Sequence, residues 1–546
     1  MMNVENLKKV ILGDVVTNED DIAAHSRDAS IFQVRPEVVV YPKDSADIQH
    51  LVRWAKAEKA ADPSISITAR SAGTDMSGGP LNESIIVDCT RYLNHIKEVG
   101  DGFAVAEPGV YYRDFEKETL KKGLLLPSYP ASRSIAALGG IVSNNSGGEK
   151  SLAYGKTERY VRELNVVLSD GNEYAFGPLT LAGLEEKKTK QNFEGQIYRA
   201  MYELIESNYD LIQRSKPDVS KNSAGYYLWN VWDRKNFDLT KLFVGSQGTL
   251  GVVTKMKLGL VRPKPFSKLL ILFLRDLAPL GEIVNAIGAY KPESMESFDD
   301  HTMTIALQFL PQLLKQMKGN IFSLAWKFLP EAFMALTGGM PKLILITEFT
   351  GDSEAEIADV AHRCEAEIRR RFNLKTHIAR DADEAEKYWV VRRESFNLLR
   401  KHSGNKHTAP FIDDIIVHPN QLSQFIPELN NLIARYKGLT YTIAGHAGDA
   451  NFHIIPLMDF HDPANRAAIP ELSEKVYKLV ASLHGSITAE HNDGLIRTPY
   501  LPVMYSPEMI ALFERTKEIF DPLNLFNPGK KVHGSKEYMM SHIVKE

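Results

Sequence analysis

A glycine-rich loop between two predicted strands is the feature that most limits the folds open to this chain. The stretches SISITAR at 64–70 and SIIVDCT at 84–90 are typical of strands, and SAGTDMSGGP joins them. In a Rossmann dinucleotide-binding unit the glycine-rich turn opens a helix that receives the pyrophosphate, and this loop opens none. The nicotinamide interpretation is therefore weakened. Backbone N–H groups around Gly73, Gly78 and Gly79 can still form an anion-binding nest, and a plain surface turn is the alternative.

Two further stretches combine small residues with a following predicted strand, at 134–171 and 243–258. The first contains GGIVSNNSGG, whose glycines would let the backbone approach a flat ring while serine and asparagine meet its edge. Three such regions within the first 260 residues suggest one long ligand. A composition break follows at RPKPFSK, 262–268, where two prolines and clustered cations predict a domain boundary.

Composition excludes several classes of protein. The 546 residues are 44% hydrophobic and 25% charged with a net charge of −4, which argues against a nucleic-acid-binding surface. Two cysteines, Cys89 and Cys364, cannot build an all-cysteine iron–sulfur cluster or zinc site. The first residues do not read as a signal peptide, so we expect a cytoplasmic location.

The most apolar window, 321–340, is interrupted by Lys327, Pro330 and Glu331 before it reaches the length of a membrane span. We expect it not to cross a membrane. A surface that docks peripherally on the inner membrane face or on a partner, and a buried core, are both open.

Two histidines flank a tight turn in GHAGDANFHI, 445–454. The pattern predicts strand, Gly448-Asp449 turn and strand, so His446 and His453 can face each other. Glu490 and His491 follow the strand-like LHGSIT. Two imidazoles and a carboxylate suit a divalent ion such as zinc, manganese or iron(II), whereas each histidine alone is more typical of a hydrogen-bonded core residue.

Six motifs in this order resemble FAD-linked dehydrogenases of the vanillyl-alcohol oxidase / p-cresol methylhydroxylase fold: ARSAGTDMSGG, GGIVSNNSGG, GSQGTLGVVT, GHAGDANFHI, TAEHNDG and FDPLNLFNPGK. The similarity lies with the branch that acts on D-lactate, glycolate and D-2-hydroxyglutarate. It implies an α+β fold with a two-lobed p-cresol-methylhydroxylase-type FAD-binding domain and a C-terminal α+β cap domain whose antiparallel sheet covers the flavin. The expected boundaries are an N-terminal extension at 1–35, the FAD-binding domain at 36–263, the cap at 264–527 and a tail at 528–546.

The resemblance also implies the residues that contact FAD. Relatives that bind flavin covalently commonly carry a histidine in the first glycine loop, and this loop has Thr74 and Asp75 instead, so we expect non-covalent FAD. The expected cofactor-binding residues are Ser71, Ala72, Gly73, Thr74, Asp75, Gly139, Gly140, Ser143, Asn144, Gly147, Val252 and Asn527.

For the reaction itself, the resemblance implies metal ligands at His446, His453 and Glu490 and a catalytic base at His491. It places a carboxylate-gripping arginine at Arg392, for which a solvated helix face is the alternative. Relatives that accept a second, distal carboxylate carry threonine and asparagine where this chain has Phe396 and Ile455. A smaller or more apolar substrate is therefore favoured over a large dicarboxylate.

The expected function is FAD-dependent, metal-assisted oxidation of a small D-2-hydroxy acid. Electrons would pass to a quinone, a cytochrome or an electron-transfer flavoprotein, because the chain lacks cysteines for its own iron–sulfur cluster. Two alternatives stay open: a non-redox transferase like the alkyl-dihydroxyacetone-phosphate synthases, and a flavin subunit of a larger glycolate-oxidase-like complex. A homodimer is also open.

Overall fold

The computed structural model of the chain describes residues 2–300, 302–303, 341–402, 406–436 and 439–545, with the backbone alone at 394–402 and at residue 440. The window 321–340, predicted to be either a docking surface or core, lies outside the described residues. Among the helices that are described, none is long and apolar enough to cross a membrane.

The first sheet has the strand order β1-β2-β4-β3. Its strands are Asp14–Val16 (β1), Val38–Tyr41 (β2), Ile67–Arg70 (β3) and Ile85–Asp88 (β4). The last three are parallel and almost wholly buried, as apolar runs in parallel sheets are. The loop from β3 to β4 is the first glycine loop, so the prediction that it links two strands is confirmed.

The second sheet is antiparallel, with the order β5-β6-β11-β7-β8. Its strands are Ile96–Val99 (β5), Phe103–Ala106 (β6), Val161–Val167 (β7), Glu173–Phe176 (β8) and Val252–Gly259 (β11), while Leu179–Thr180 (β9) pairs with Asn236–Phe237 (β10). The two sheets with their helices form the two lobes expected of the N-terminal part.

The third sheet is also antiparallel and has the order β15-β12-β14-β13-β18-β19-β16, with β17 pairing with β19. Its strands are Phe266–Leu274 (β12), Ser294–Asp299 (β13), Leu343–Gly351 (β14), Lys375–Ile378 (β15), His407–Thr408 (β16), Ile415–Ile416 (β17), Thr440–His446 (β18) and Asn451–Met458 (β19). The α+β fold with a C-terminal antiparallel sheet is thus confirmed. The predicted boundary at 262–268 follows β11 and includes the first residues of β12.

Helices connect and flank the three sheets. The helix Ser45–Glu58 begins after Asp44, because the Asp44 side chain accepts the backbone N–H of Asp47. The others are Val4–Val10, Glu19–His25, Tyr112–Leu120, Leu138–Asn144, Ser151–Tyr154, Leu181–Thr189, Phe193–Ser207, Tyr209–Arg214, Thr240–Phe243, Leu280–Gly288, Glu354–Phe372, Ala382–His402, Leu422–Ile433, Pro463–Ser482, Gly494–Arg497, Leu501–Met504, Pro507–Phe520 and Lys536–Ser541.

Both chain ends belong to the body of the fold. Strand β1, from the predicted extension 1–35, pairs with β2. In the predicted tail 528–546, the backbone N–H of Val544 donates to the carbonyl of Ile31 at 2.9 Å, and that of Gln33 donates to His542 at 2.9 Å. The two terminal segments therefore pack against each other.

Candidate active site

A cavity of about 690 Å³ lies between the glycine-rich loops and one face of the third sheet. All three small-residue regions of the sequence contribute to its wall, together with side chains of β18 and β19. Its volume is within the usual range for cofactor and ligand sites. The prediction that these separate loops serve one long ligand is consistent with this arrangement.

The first glycine loop lines the cavity along residues 71–76. The Asp75 carboxylate accepts hydrogen bonds from the N–H groups of Ser77 and Gly79 at 3.0 and 2.8 Å, and from the Asn144 amide at 2.6 Å. Among the described residues, none accepts a hydrogen bond from the N–H groups of residues 72–76, which all line the cavity. A nest of this kind fits a diphosphate.

Glycine at position 147 brings the second loop against the histidine cluster. A Cβ atom at Gly147 would lie 2.7 Å from Glu490 Oε2 and 2.8 Å from Ser151 Oγ, closer than atoms pack. A side chain at position 147 would have to displace these two oxygens, so glycine gives the backbone room beside Glu490. The wall of the cofactor cavity and the predicted metal site are therefore contiguous.

Ten of the twelve residues predicted to contact the cofactor line this cavity: Ser71, Ala72, Gly73, Thr74, Asp75, Gly139, Gly140, Ser143, Asn144 and Gly147. Val252 and Asn527 do not. Val252 points into a buried apolar cluster, and its neighbours Gly251 and Val253 line the cavity instead. The Asn527 amide donates to the carbonyls of Gly79 and Gln247 at 2.9 and 2.6 Å, so it connects two loops of the cavity wall.

The hairpin of β18 and β19 brings the two predicted histidine ligands together, as expected. The rings of His446 and His453 meet edge to face with centroids 5.2 Å apart. Glu490 Oε1 lies 2.9 Å from His446 Nε2 and 3.6 Å from His453 Nε2. The expected strand over 483–488 is wrong, since only Ser486 makes an isolated bridge to Ile416. Glu490 and His491 reach the cluster on a loop.

The donor set of this cluster fits a divalent cation. His446, His453 and Glu490 each offer one ligand atom, and these three atoms lie within 4.8 Å of one another. Two overlapping groups are as close: Asp413 with His453 and His491, and Asp414 with Glu490 and His491. The Nδ1 atom of each predicted histidine ligand is held by a carboxylate: His446 by Glu296 at 2.6 Å and His453 by Asp413 at 3.0 Å. This carboxylate–histidine arrangement is common around bound metals.

Sequence reasoning missed the outer carboxylates. Asp413 and Asp414 stand in the apolar stretch FIDDIIV, and Glu296 lies on β13, where every residue is buried. An acidic residue inside an apolar run indicates a buried carboxylate that has a partner. This pattern could have identified the outer carboxylates. Lys221 was also missed; it is buried, with Nζ 3.1 Å from Asp449 and 3.4 Å from Glu490.

The carboxylates favour positive charge at the centre of the cluster. Burial lowers the pKa of His446, but attraction to Glu296 and Glu490 outweighs it and raises the pKa to about 9. Burial likewise opposes the charge on His491, and Asp414 and Asp413 raise its pKa to about 9. The same carboxylates would favour a bound cation.

Arg392 lies on the cavity wall and not on a solvated helix face, which was the alternative. Its Nη2 lies 3.1 Å from Glu296 Oε2, and the other oxygen of Glu296 holds His446. Glu296 thus links the predicted carboxylate-binding arginine to a predicted metal ligand. Ile455 also lines the cavity, while the side chain of Phe396 is outside the described part.

The next residue along the helix, Arg393, is paired with a carboxylate from the other domain. Its Nε and Nη2 donate to the two oxygens of Glu149 at 3.1 and 3.0 Å, and the Tyr129 hydroxyl donates to the same group at 3.0 Å. A bidentate arginine–carboxylate pair satisfies both partners. The charge of Arg393 is therefore already compensated within the cavity wall.

Family models match most of the chain. A model described as an FAD binding domain matches residues 36–177, and one described as the C-terminal domain of FAD linked oxidases matches residues 265–531. The chain is 27% identical over 528 residues to the D-2-hydroxyglutarate dehydrogenase of Escherichia coli strain K12, covering 95% of this chain and 50% of that protein. It thus spans about half the length of the first curated relatives it matches.

Shorter relatives are covered over nearly their whole length. The D-lactate dehydrogenase of Anaerostipes hadrus is 25% identical over 533 residues, which are 96% of this chain and 94% of that protein. Among solved structures, p-cresol methylhydroxylase with substrate bound has a TM-score of 0.67 at 16% identity, over 97% and 96% of the two chains. An alkyldihydroxyacetonephosphate synthase has a TM-score of 0.66 at 14% identity, over 96% and 85%. These structural likenesses concern the fold.

Proposed function

Because this chain belongs to the FAD-linked oxidases, we propose that it is a metal-assisted dehydrogenase that oxidises a small D-2-hydroxy acid, of the D-lactate type, to the 2-oxo acid. The observation that carries the proposal is the cluster of His446, His453, Glu490 and His491 on the wall of a cavity suited to FAD. Named relatives include D-2-hydroxyglutarate and D-lactate dehydrogenases, which agree in reaction class.

The glycine-rich loops that line the cavity would hold FAD, with the N–H groups of residues 72–76 at the diphosphate. His446, His453 and Glu490 would hold the ion. Bound FAD would accept the hydride from C2 of the substrate, and a zinc, manganese or iron(II) ion would polarise its 2-hydroxyl. The remaining tasks, gripping the substrate and taking its proton, fall to side chains of this chain.

His491 is the proposed proton acceptor. Its Nδ1 bonds Asp413 at 2.7 Å, and in the neutral ring this leaves Nε2 as the nitrogen that can take the proton of the substrate hydroxyl. A bound cation would oppose the positive charge that Asp414 and Asp413 favour on this ring and would lower its pKa. The ring is less buried than those of the two proposed ligands, with its side chain 23% exposed against 6% for His446 and 12% for His453. A group that must reach substrate needs that access.

Arg392 is proposed to grip the substrate carboxylate with its guanidinium fork. A second carboxylate would need another cation nearby, and the next arginine, Arg393, is held by both oxygens of Glu149. Ile455 adds an apolar surface where relatives that accept a distal carboxylate have asparagine. These features support a monocarboxylate with a small or apolar side chain.

The direct test is anaerobic reduction of the purified holoprotein by a panel of acids: D- and L-lactate, glycolate, D-2-hydroxybutyrate and D-2-hydroxyglutarate. Loss of the flavin absorbance with D-lactate or D-2-hydroxybutyrate, but not L-lactate, is expected. Faster bleaching by D-2-hydroxyglutarate would contradict the proposed substrate size. If no acid bleaches the flavin, dehydrogenation is the wrong proposal and a transferase role gains support.

The electron acceptor is proposed to be a quinone, a cytochrome or an electron-transfer flavoprotein. Cys89 and Cys364 are both buried, in different domains, and cannot jointly ligate a cluster. Reoxidation of the reduced flavin by quinone analogues or cytochrome c, with none by NAD⁺, would agree with this assignment.

Replacing Arg392 by methionine is expected to lower kcat/KM, mainly through a higher KM. The loss should correspond to about 2 to 4 kcal/mol of binding free energy, because one partner of a charge-assisted pair is lost. Steady-state kinetics with D-lactate measures the effect, and FAD content should not change. Arg392→Lys should recover only part, since an ammonium lacks the fork. Wild-type kinetics in Arg392→Met would show that Arg392 does not touch substrate.

FAD is expected to be non-covalent, because the first glycine loop carries Thr74 and Asp75 and neither histidine nor cysteine. Acid precipitation should release all of the yellow colour into the supernatant. Absorbance of the supernatant and of the washed, resolubilised pellet measures the split, and flavin retained in the pellet would contradict the expectation.

A further inference from the structure

Asp413 and Asp414 form an acidic pair directly before β17, deep beneath the histidine cluster. Both residues are buried with no exposed surface. A buried carboxylate is costly unless its oxygens are hydrogen-bonded, so the partners of this pair indicate why it is retained.

The carboxylate of Asp413 bridges two imidazoles. Its Oδ1 lies 3.0 Å from His453 Nδ1, and its Oδ2 lies 2.7 Å from His491 Nδ1. The two rings stack on each other with centroids 4.9 Å apart and an angle of 17° between planes. One side chain therefore orients the rings of a proposed ligand and of the proposed base.

The chemistry of the bridge determines which ring nitrogens are free. An ionised carboxylate only accepts hydrogen bonds, so each neutral imidazole must donate its Nδ1–H to Asp413. Nε2 then carries the lone pair in both rings. For His453 that is the atom near Glu490 Oε1, and for His491 it is the atom proposed to accept the substrate proton.

The backbone under the bridge is held in place by several groups. Asp414 has a left-handed conformation, φ +64°, and its Oδ2 accepts the N–H groups of Glu490 and His491 at 2.8 and 2.7 Å. The buried Arg497 donates to the carbonyls of Asp413 and Asn492 at 2.8 and 3.0 Å. These bonds tie the acidic pair to the loop that carries Glu490 and His491.

We propose that Asp413 is the positioning residue that holds His453 and His491 in the Nδ1–H form, so that the same carboxylate prepares one imidazole for the ion and the other for the substrate proton. This inference rests on the proposed function for the roles of the two histidines. Asp413 acts through them and needs no contact with substrate.

The experiment is Asp413→Asn, which keeps size but can accept from only one imidazole, since the amide NH₂ must face the other ring. That ring is then driven to the Nε2–H form. Carbonyl and amide can exchange places, so both histidines are affected. Loss of an outer-shell partner typically costs roughly 10- to 100-fold in metal affinity or activity.

Three measurements are made on the holoprotein: the dissociation constant for zinc by chelator competition, kcat and KM for D-lactate at saturating zinc, and the melting temperature. Zinc affinity and kcat should each fall about 10- to 100-fold while KM changes little. The matched control is Asp47→Asn, another fully buried aspartate, which accepts the N–H groups of Leu12 and Gly13 away from the cavity. It should lower the melting temperature without moving either constant.

A value of kcat within twofold of wild type would overturn the inference, and so would a change in only one of the two constants when wild type binds zinc. If wild type turns over D-lactate but binds no metal, the ligand assignment fails, while kcat of Asp413→Asn still decides the role at His491. If wild type has no activity on any 2-hydroxy acid, the proposed function itself fails. In that case an unaltered zinc affinity in Asp413→Asn refutes the bridge.

Discussion

The His491→Gln variant is expected to lose roughly 10²- to 10⁴-fold in kcat while keeping FAD and metal, the range found when a general base is removed. Glutamine occupies similar space and can still donate to Asp413, so the packing of the loop is retained. Its amide cannot take up the substrate proton. This variant therefore measures the effect of removing Nε2 of His491, the proposed proton acceptor.

The measurement is turnover with D-lactate beside flavin absorbance and metal analysis of the same preparation. The matched control is His25→Gln, because His25 is also buried and its Nε2 lies 2.8 Å from a carboxylate, that of Asp88. The control should cost stability and leave kcat near wild type. A His491→Gln protein that loses its metal would instead make His491 a ligand, as the overlapping cluster with Asp414 and Glu490 would allow.

The Glu490→Gln variant is expected to lose bound metal and activity together. A neutral amide is a weaker ligand than a carboxylate, and the change removes the anionic member of a three-residue set. We expect the activity to fall by more than the 10- to 100-fold typical of outer-shell changes. Lys221 keeps Asp449 as a partner at 3.1 Å, so no buried ammonium is left unpaired.

Metal stoichiometry by elemental analysis and turnover at several metal concentrations measure the effect. Glu194→Gln is a suitable control, since Glu194 is 3% exposed and pairs with Lys187 and Lys190 in the FAD-binding lobe. It should keep metal and activity. If Glu490→Gln retains full metal, the ion is held by another group, with Asp413, His453 and His491 the alternative set.

Local patterns predicted much of this architecture. The strands on either side of the first glycine loop and the hairpin that carries His446 and His453 form where the sequence indicates. Each depends on short-range effects: a run of apolar residues or a short connection between two strands, here residues 447–450. The strand expected over 483–488 does not form, because the helix Pro463–Ser482 has its C-cap at Leu483 and the chain then turns at His484, with φ +55°, which leaves Ser486 to make an isolated bridge to Ile416.

The family resemblance extended the prediction to the site. The residues named from its motifs, apart from Val252 and Asn527, do lie around one cavity. Those two do not line the cavity. A motif gives the position of a residue in the chain but not the direction of its side chain. On a strand the direction alternates with each residue, which is why Val253 rather than Val252 faces the cavity.

By itself, the sequence determined the strands beside the first glycine loop, the order of the glycine loops and the two histidines of the hairpin, because these follow from spacing within a few residues. The α+β class was implied by the family resemblance. Only the tertiary structure decided which buried charges surround them. Asp413, Glu296 and Lys221 come from segments far apart in the chain, and each is stable in the interior only because a partner of opposite charge or a hydrogen-bond donor meets it there. That pairing is set by packing of the sheets, which no local pattern encodes.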